Sequence, residues 1–108
     1  MKKKVLRILV DLSFTIPHHG HIRILKQASK LGYVIVALTA DKEVKKIKGY
    51  TPELNFENRK EILQSIVYVN KVIKSKWLID DNFLKKHKID LLVHGSDNRN
   101  PIQKDKLK

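Results

Sequence analysis

Phe14-Thr15-Ile16-Pro17-His18-His19-Gly20-His21 is the stretch on which the fold turns. It follows an apolar run at residues 5–10 that reads as a buried strand, and it precedes a segment with apolar residues at helical spacing. The stretch is therefore a strand-to-helix turn. Pro17 fixes the chain direction before the helix, and Gly20 lets the backbone come close to whatever sits there. The free amides of the first helical turn are then expected to face outward as an anion site. With a helix starting near His18, the rings of His18 and His21 project from the same side of the first turn and His19 turns away. Imidazole donors beside a helix start suit a phosphate that gains charge, because they can hydrogen-bond its oxygens without acting as nucleophiles. A histidine-rich surface loop is the plainer alternative for the same residues.

Beyond the turn, Ile22, Leu25 and Ala28 recur at helical spacing and Gly32 follows as a C-cap, which gives a helix over about residues 20–31. Val34-Ile35-Val36-Ala37-Leu38 is too short for a helix and rich in β-branched residues, so it reads as a second, buried, parallel strand. A short helical turn is expected over 41–46 and a loop at Lys48-Gly49-Tyr50-Thr51-Pro52. Asn55 can cap a helix with apolar positions Phe56, Ile62, Leu63 and Ile66, ending within 65–68. A short strand at 69–73, a short helix around Phe83 and Leu84 ending at about His87, and a buried strand at 89–93 complete the alternation. This pattern predicts an α/β fold: a Rossmann-like open parallel sheet with helices on both faces.

A chain of 108 residues corresponds to one domain, read here as residues 1–97, followed by a polar basic tail at 98–108 that lacks apolar positions for another core element. The absence of cysteine removes disulfides and cysteine-based zinc sites, and makes a cytoplasmic setting the natural expectation. No apolar run approaches a membrane span, and Met1-Lys2-Lys3-Lys4 leads into a strand too soon interrupted by Asp11 to be a secretory signal. Lys and Arg number 23 against 11 Asp and Glu, a formal charge of +12 that favours anionic partners. The lysines are spread over helix faces and chain ends and do not alternate with aromatics along a strand, which argues against a nucleic-acid surface.

Open parallel sheets bind ligands beyond the carboxyl ends of their strands, which singles out Asp41, Lys48 and Gly95-Ser96-Asp97-Asn98. Lys48 can pair with a phosphate across the crevice or be an ordinary loop lysine. Arg59 lies one turn before Ile62 and Leu63 on the apolar stripe of its helix, so its stem is expected to run along the core with the guanidinium emerging near an edge. There it can grip a phosphate or carboxylate bidentately, or simply snorkel. Asp97 can accept hydrogen bonds from a sugar or base, or be a turn aspartate. His94 reads as a strand-end residue and Trp77 as packing against the core edge.

Taken together, these residues resemble the cytidylyltransferase family of the HxGH nucleotidyltransferase superfamily, over nearly the whole of residues 5–97. Besides the tetrad of His18, Gly20 and His21, the chain has Lys48-Gly49-Tyr50 where the family has its substrate-phosphate lysine. Asn55-Phe56-Glu57-Asn58-Arg59 resembles the family's helix start, Tyr68-Val69-Asn70-Lys71-Val72-Ile73 its Y-V-D-E-V-I strand, and Ile89-Asp90-Leu91-Leu92-Val93-His94-Gly95-Ser96-Asp97 its I-D-x-x-V-x-G-D-D segment. The resemblance implies attack by a phosphate or phosphonate oxygen of a small alcohol derivative on the α-phosphate of CTP, releasing pyrophosphate and leaving a CDP-linked product. It gives His18, His21 and Lys48 catalytic roles, places Ser13, Phe14, Gly20, Arg59 and Asp97 on the nucleotide, and implies Mg²⁺ accompanying the nucleotide, with no metal ligand among the named residues. It also allows a homodimer.

This sequence departs from the family where relatives read G-T-F-D: Leu12-Ser13-Phe14-Thr15 replaces the glycine and the acidic residue, Val67 replaces a mid-helix arginine, and Ser96 the first aspartate of G-D-D. The R-T-x-G-I-S-T/S-T segment that closes over the triphosphate is expected beyond Lys108, so the chain reads as a truncated or fragmentary member with lowered or lost activity. Two alternatives stand beside the enzyme: a catalytically impaired nucleotide-binding or assembly module, and an adenylyltransferase, because the tetrad does not choose the base.

Overall fold

The computed structural model of the chain describes residues 5–94. The elements run β1 (Leu6–Leu12), α1 (His19–Leu31), β2 (Gly32–Thr39), α2 (Asp41–Lys48), α3 (Phe56–Gln64), β3 (Lys71–Ser75), α4 (Asp81–Lys86) and β4 (Leu91–His94). The four strands form one sheet in the order β3-β2-β1-β4, every neighbouring pair parallel. The α/β architecture with helices on both faces is as the alternation predicted. Ile8, Val10, Leu12, Val34, Val36, Leu38 and Val72 pack with Leu25 and Ala28 of α1 and Phe56 and Leu63 of α3. Leu9, Ile35, Ala37 and Leu92 face the other way and pack with Leu84 of α4. Strands buried on both faces read as continuous apolar runs, and this is why β1 and β2 were visible in the sequence.

From β1 the chain moves outward through β2 to β3, then returns across the sheet to place β4 on the other side of β1. The order therefore reverses between β1 and β4, and the crevice at their carboxyl ends is where an open α/β sheet offers a ligand site. The pairing of β1 with β2 begins very tightly at Gly32, where a Cβ would lie 2.2 Å from the Leu6 carbonyl oxygen.

Several boundaries and one buried position differ from the sequence expectation. The turn expected at 41–46 continues as helix through Lys48, so Lys48 ends α2 and is not a loop residue; Gly49, at φ 81°, closes the helix in the left-handed conformation and donates to the Lys45 carbonyl. The third strand lies at Lys71–Ser75, two residues later than its apolar residues suggested. Asn70 sets that start: its N–H donates to the Val34 carbonyl at 3.0 Å and its Oδ1 accepts from the Val34 N–H at 2.8 Å. As an edge strand, β3 tolerates exposed Lys71 and Lys74, while Val69 packs on the core from the preceding turn. Similarly β4 begins at Leu91, two residues later than read. Ile62, expected on the apolar stripe of α3, is exposed.

Candidate functional site

The chain leaves β1 through a turn in which Phe14 adopts φ 55°. A side-chain-bearing residue in this region costs roughly 1–2 kcal/mol, and the cost is offset here by burial of the Phe14 ring in the core and its edge-to-face contact with His21, 4.9 Å between centroids. Arg59 anchors the turn from beneath. Its guanidinium is fully buried and donates to the carbonyls of Ser13 (2.6 Å), Thr39 (2.8 Å) and Leu54 (3.0 Å) and to the Asp41 carboxylate. The guanidinium therefore does not emerge at an edge as expected; it is consumed in joining the ends of β1 and β2 to the start of α3. Asp41 completes the joint by accepting from the Phe56 N–H at 3.1 Å.

His18 is the N-cap of α1. Its Nδ1 accepts from the Gly20 N–H at 3.0 Å, and its own N–H donates to Nδ1 of His21 at 3.2 Å. The two rings lie 4.1 Å apart at 34°, so the structure brings them together. A reciprocal N-cap of this kind is usually made by Ser or Thr with Glu; here two imidazoles make it. Gly20 is required for a reason the sequence did not show. A Cβ there would sit 2.7 Å from Cε1 of His18, so the close approach that glycine permits is to the neighbouring histidine itself.

An Nδ1 that accepts carries no proton, which leaves Nε2–H as the donor on each ring. His21 is only 6 % exposed. Burial, followed by the neighbouring His18, lowers its pKa from 6.5 to about 4, so it is neutral at neutral pH. The pair is thus a fixed set of Nε2–H donors beside a helix start, suited to phosphate oxygens.

At the switch point itself Asp11 of β1 faces His94 of β4, with Oδ2 and Nδ1 3.2 Å apart. Burial raises the Asp11 pKa and His94 partly opposes it. Sequence reasoning took His94 as a strand-end residue, which it is, and did not see the partner; Asp11 just before a strand end was the available signal. Lys48 places its ammonium 5.7 Å from the ring centroid of Trp77, whose backbone N–H donates to Glu43 at 3.0 Å. Trp77 is half-buried at the edge expected for it. Ser13 is buried, and its carbonyl is held by Arg59. Asp97, Gly95 and Ser96 lie outside the described residues, as does the tail at 98–108. Among the described residues no group of three or more His, Asp or Glu side chains forms a metal-ligand set. The donors at the turn are imidazoles and amides, whereas Mg²⁺ prefers carboxylate and phosphate oxygens. No described helix is long and apolar enough to cross a membrane.

The family model described as Cytidylyltransferase-like matches residues 9–108. The chain is 37% identical over 93 residues to a glycerol-3-phosphate cytidylyltransferase of Staphylococcus aureus, an alignment covering 84% of this chain and 70% of that protein. It is 33% identical to an ethanolamine-phosphate cytidylyltransferase of Mus musculus over 88% of this chain and 24% of the relative. It is also 39% identical to an FAD synthase of Thermococcus kodakarensis over 89% of this chain and 66% of the relative. This chain thus spans from about a quarter to about two thirds of the length of these relatives. A solved structure, the lipopolysaccharide core biosynthesis protein from Thermoplasma volcanium GSS1, shares the fold with a TM-score of 0.77 at 24% identity, covering 89% of this chain and 79% of that one.

Proposed function

Because the chain belongs to the cytidylyltransferase-like family, we propose that it transfers CMP from CTP to a small phosphorylated or phosphonate alcohol. An acceptor oxygen forms a bond to the α-phosphorus of the nucleotide as the bond to the departing pyrophosphate breaks. No covalent enzyme intermediate is required. His18 and His21 donate through Nε2 to the triphosphate oxygens as charge moves onto pyrophosphate, with amides of the turn around Ser13 and Phe14 lending further donors. Lys48 meets the incoming phosphate, and Asp97 contacts the nucleoside. Arg59 serves from behind by fixing the Ser13 carbonyl. Mg²⁺ carried on the triphosphate would supply charge neutralisation there, while the chain's residues position the phosphates.

The reading is carried by the two Nδ1 atoms, which both accept main-chain N–H groups and so leave Nε2 of both rings, side by side, as the donors. It is tested by pyrophosphate release over a panel of nucleoside triphosphates and phosphorylated alcohols. Release with CTP that disappears in His18→Ala and His21→Ala is expected; no release from the unaltered chain with any pair would overturn it. A second reading, adenylyl transfer, is favoured by the FAD synthase relative, and ATP in the same panel decides between them.

A further inference from the structure

On the α4 face of the sheet, away from α1 and its histidines, a cavity of about 520 Å³ opens at the carboxyl ends of β2 and β3, walled by the start of α2 and by α4. That volume is in the range of small-molecule sites. At its base Ser75 is 5 % exposed, and its Oγ has no hydrogen-bond partner among the described residues. A buried hydroxyl left unpaired is costly, and natural folds rarely keep one without use for it. Three exposed lysines, Lys42, Lys76 and Lys86, line the opening, and among the described residues none is in an ion pair. The two carboxylates there are engaged: Glu43 accepts from the Trp77 N–H and Asp80 caps α4 through the Phe83 N–H. A fourth lysine, Lys74, directs its ammonium to the Phe56 ring, 4.7 Å from its centroid. The remaining wall is apolar, with Phe83 and an 81 % exposed Leu78.

We propose that this cavity binds an organophosphate with an apolar body, the phosphate at the lysines and the body against Leu78 and Phe83. The excess of positive charge disfavours ligands bearing an ammonium group. Such a ligand, held on the sheet face opposite the histidines, is an effector that is not consumed. Its binding does not require the histidine site to work as proposed above.

Calorimetry with phenyl phosphate as the probe tests the site. Saturable binding roughly tenfold tighter than that of inorganic phosphate or phosphocholine is expected. The surface double variant Lys42→Glu/Lys76→Glu should weaken it by at least about tenfold, and His18→Ala should leave it unchanged. Phosphorus NMR of the same mixture with CTP or ATP should show phenyl phosphate unconsumed; a new diphosphate ester would overturn the proposal by making the ligand an acceptor at the histidine turn. Binding that survives the lysine reversal, or that is lost in His18→Ala, would overturn the proposal, the latter by moving the ligand to the histidine turn.

Discussion

Arg59 donates to the Ser13 carbonyl at 2.6 Å across 46 residues of chain, and this bond ties α3 to the turn that carries the histidines. The same guanidinium holds Thr39, Leu54 and Asp41. A lysine carries a point charge on a flexible stem and cannot reproduce the planar fork. Arg59→Lys should therefore cost about 3–5 kcal/mol, the range for breaking a buried charged network, seen as a lower urea midpoint with an unchanged slope. A loss under about 1 kcal/mol, the range for exposed pairs, would show that the joint is not what holds the turn.

Gly20→Ala should push the His18 ring out of its capping position, because the added Cβ falls 2.7 Å from Cε1 and the ring is the part able to move. The loss of the N-cap bond should cost about 1 kcal/mol. Activity should fall far more than stability, since the displaced ring is one of the proposed donors. Thermal unfolding and pyrophosphate release on the same preparation measure both.

The strands that face both layers were legible because burial on two faces writes an unbroken apolar run, as in Val34 to Leu38. The caps at His18 and Asn55 were also close to legible from local spacing. The end of α2 was placed two residues early because Lys48 was grouped with the loop that Gly49 and Pro52 mark, whereas Val44 is the buried anchor and Gly49 itself stops the helix. Arg59 was visible on an apolar stripe, but its partners are carbonyls up to 46 residues distant, which no local pattern records. Asp11 and His94, 83 residues apart, meet only because β4 returns to the far side of β1.

His21→Asn separates structure from chemistry. Asparagine Oδ1 can accept the His18 N–H as Nδ1 does, but it offers no donor at the Nε2 position. Stability should change by about 1 kcal/mol or less, while turnover should drop roughly 10²- to 10³-fold, the scale of losing one fixed donor to developing charge. Equal losses in both would reduce His21 to a capping residue.

The pH dependence of His21 has a definite sign. Its folded pKa, about 4, lies below the ordinary 6.5, so between these values the unfolded chain binds more protons and stability falls as pH drops from about 6.5 toward about 4. His87, lowered chiefly by burial and then by Lys86, Lys71 and Arg7, adds in the same direction. Urea unfolding across this window should show a shallower fall in His21→Asn than in the unaltered chain. Parallel curves would mean that His21 is not held neutral by the fold.

Asp11 gives the opposite sign. Burial raises the Asp11 pKa above 3.8, so the folded state binds more protons than the unfolded chain, and this group detracts from stability as pH rises above the ordinary carboxylate range. The facing imidazole limits that loss. His94→Leu removes it and leaves the carboxylate buried beside an apolar side chain, so the variant should lose more stability at pH 7 than under acid conditions where Asp11 is protonated in both states. Asp11→Asn keeps a hydrogen-bonding oxygen for Nδ1 without the buried charge, and should be neutral or mildly stabilising at pH 7. If His94→Leu lost equally at acid and neutral pH, its contribution would be packing alone, and the two residues at the switch point would be neighbours without electrical linkage.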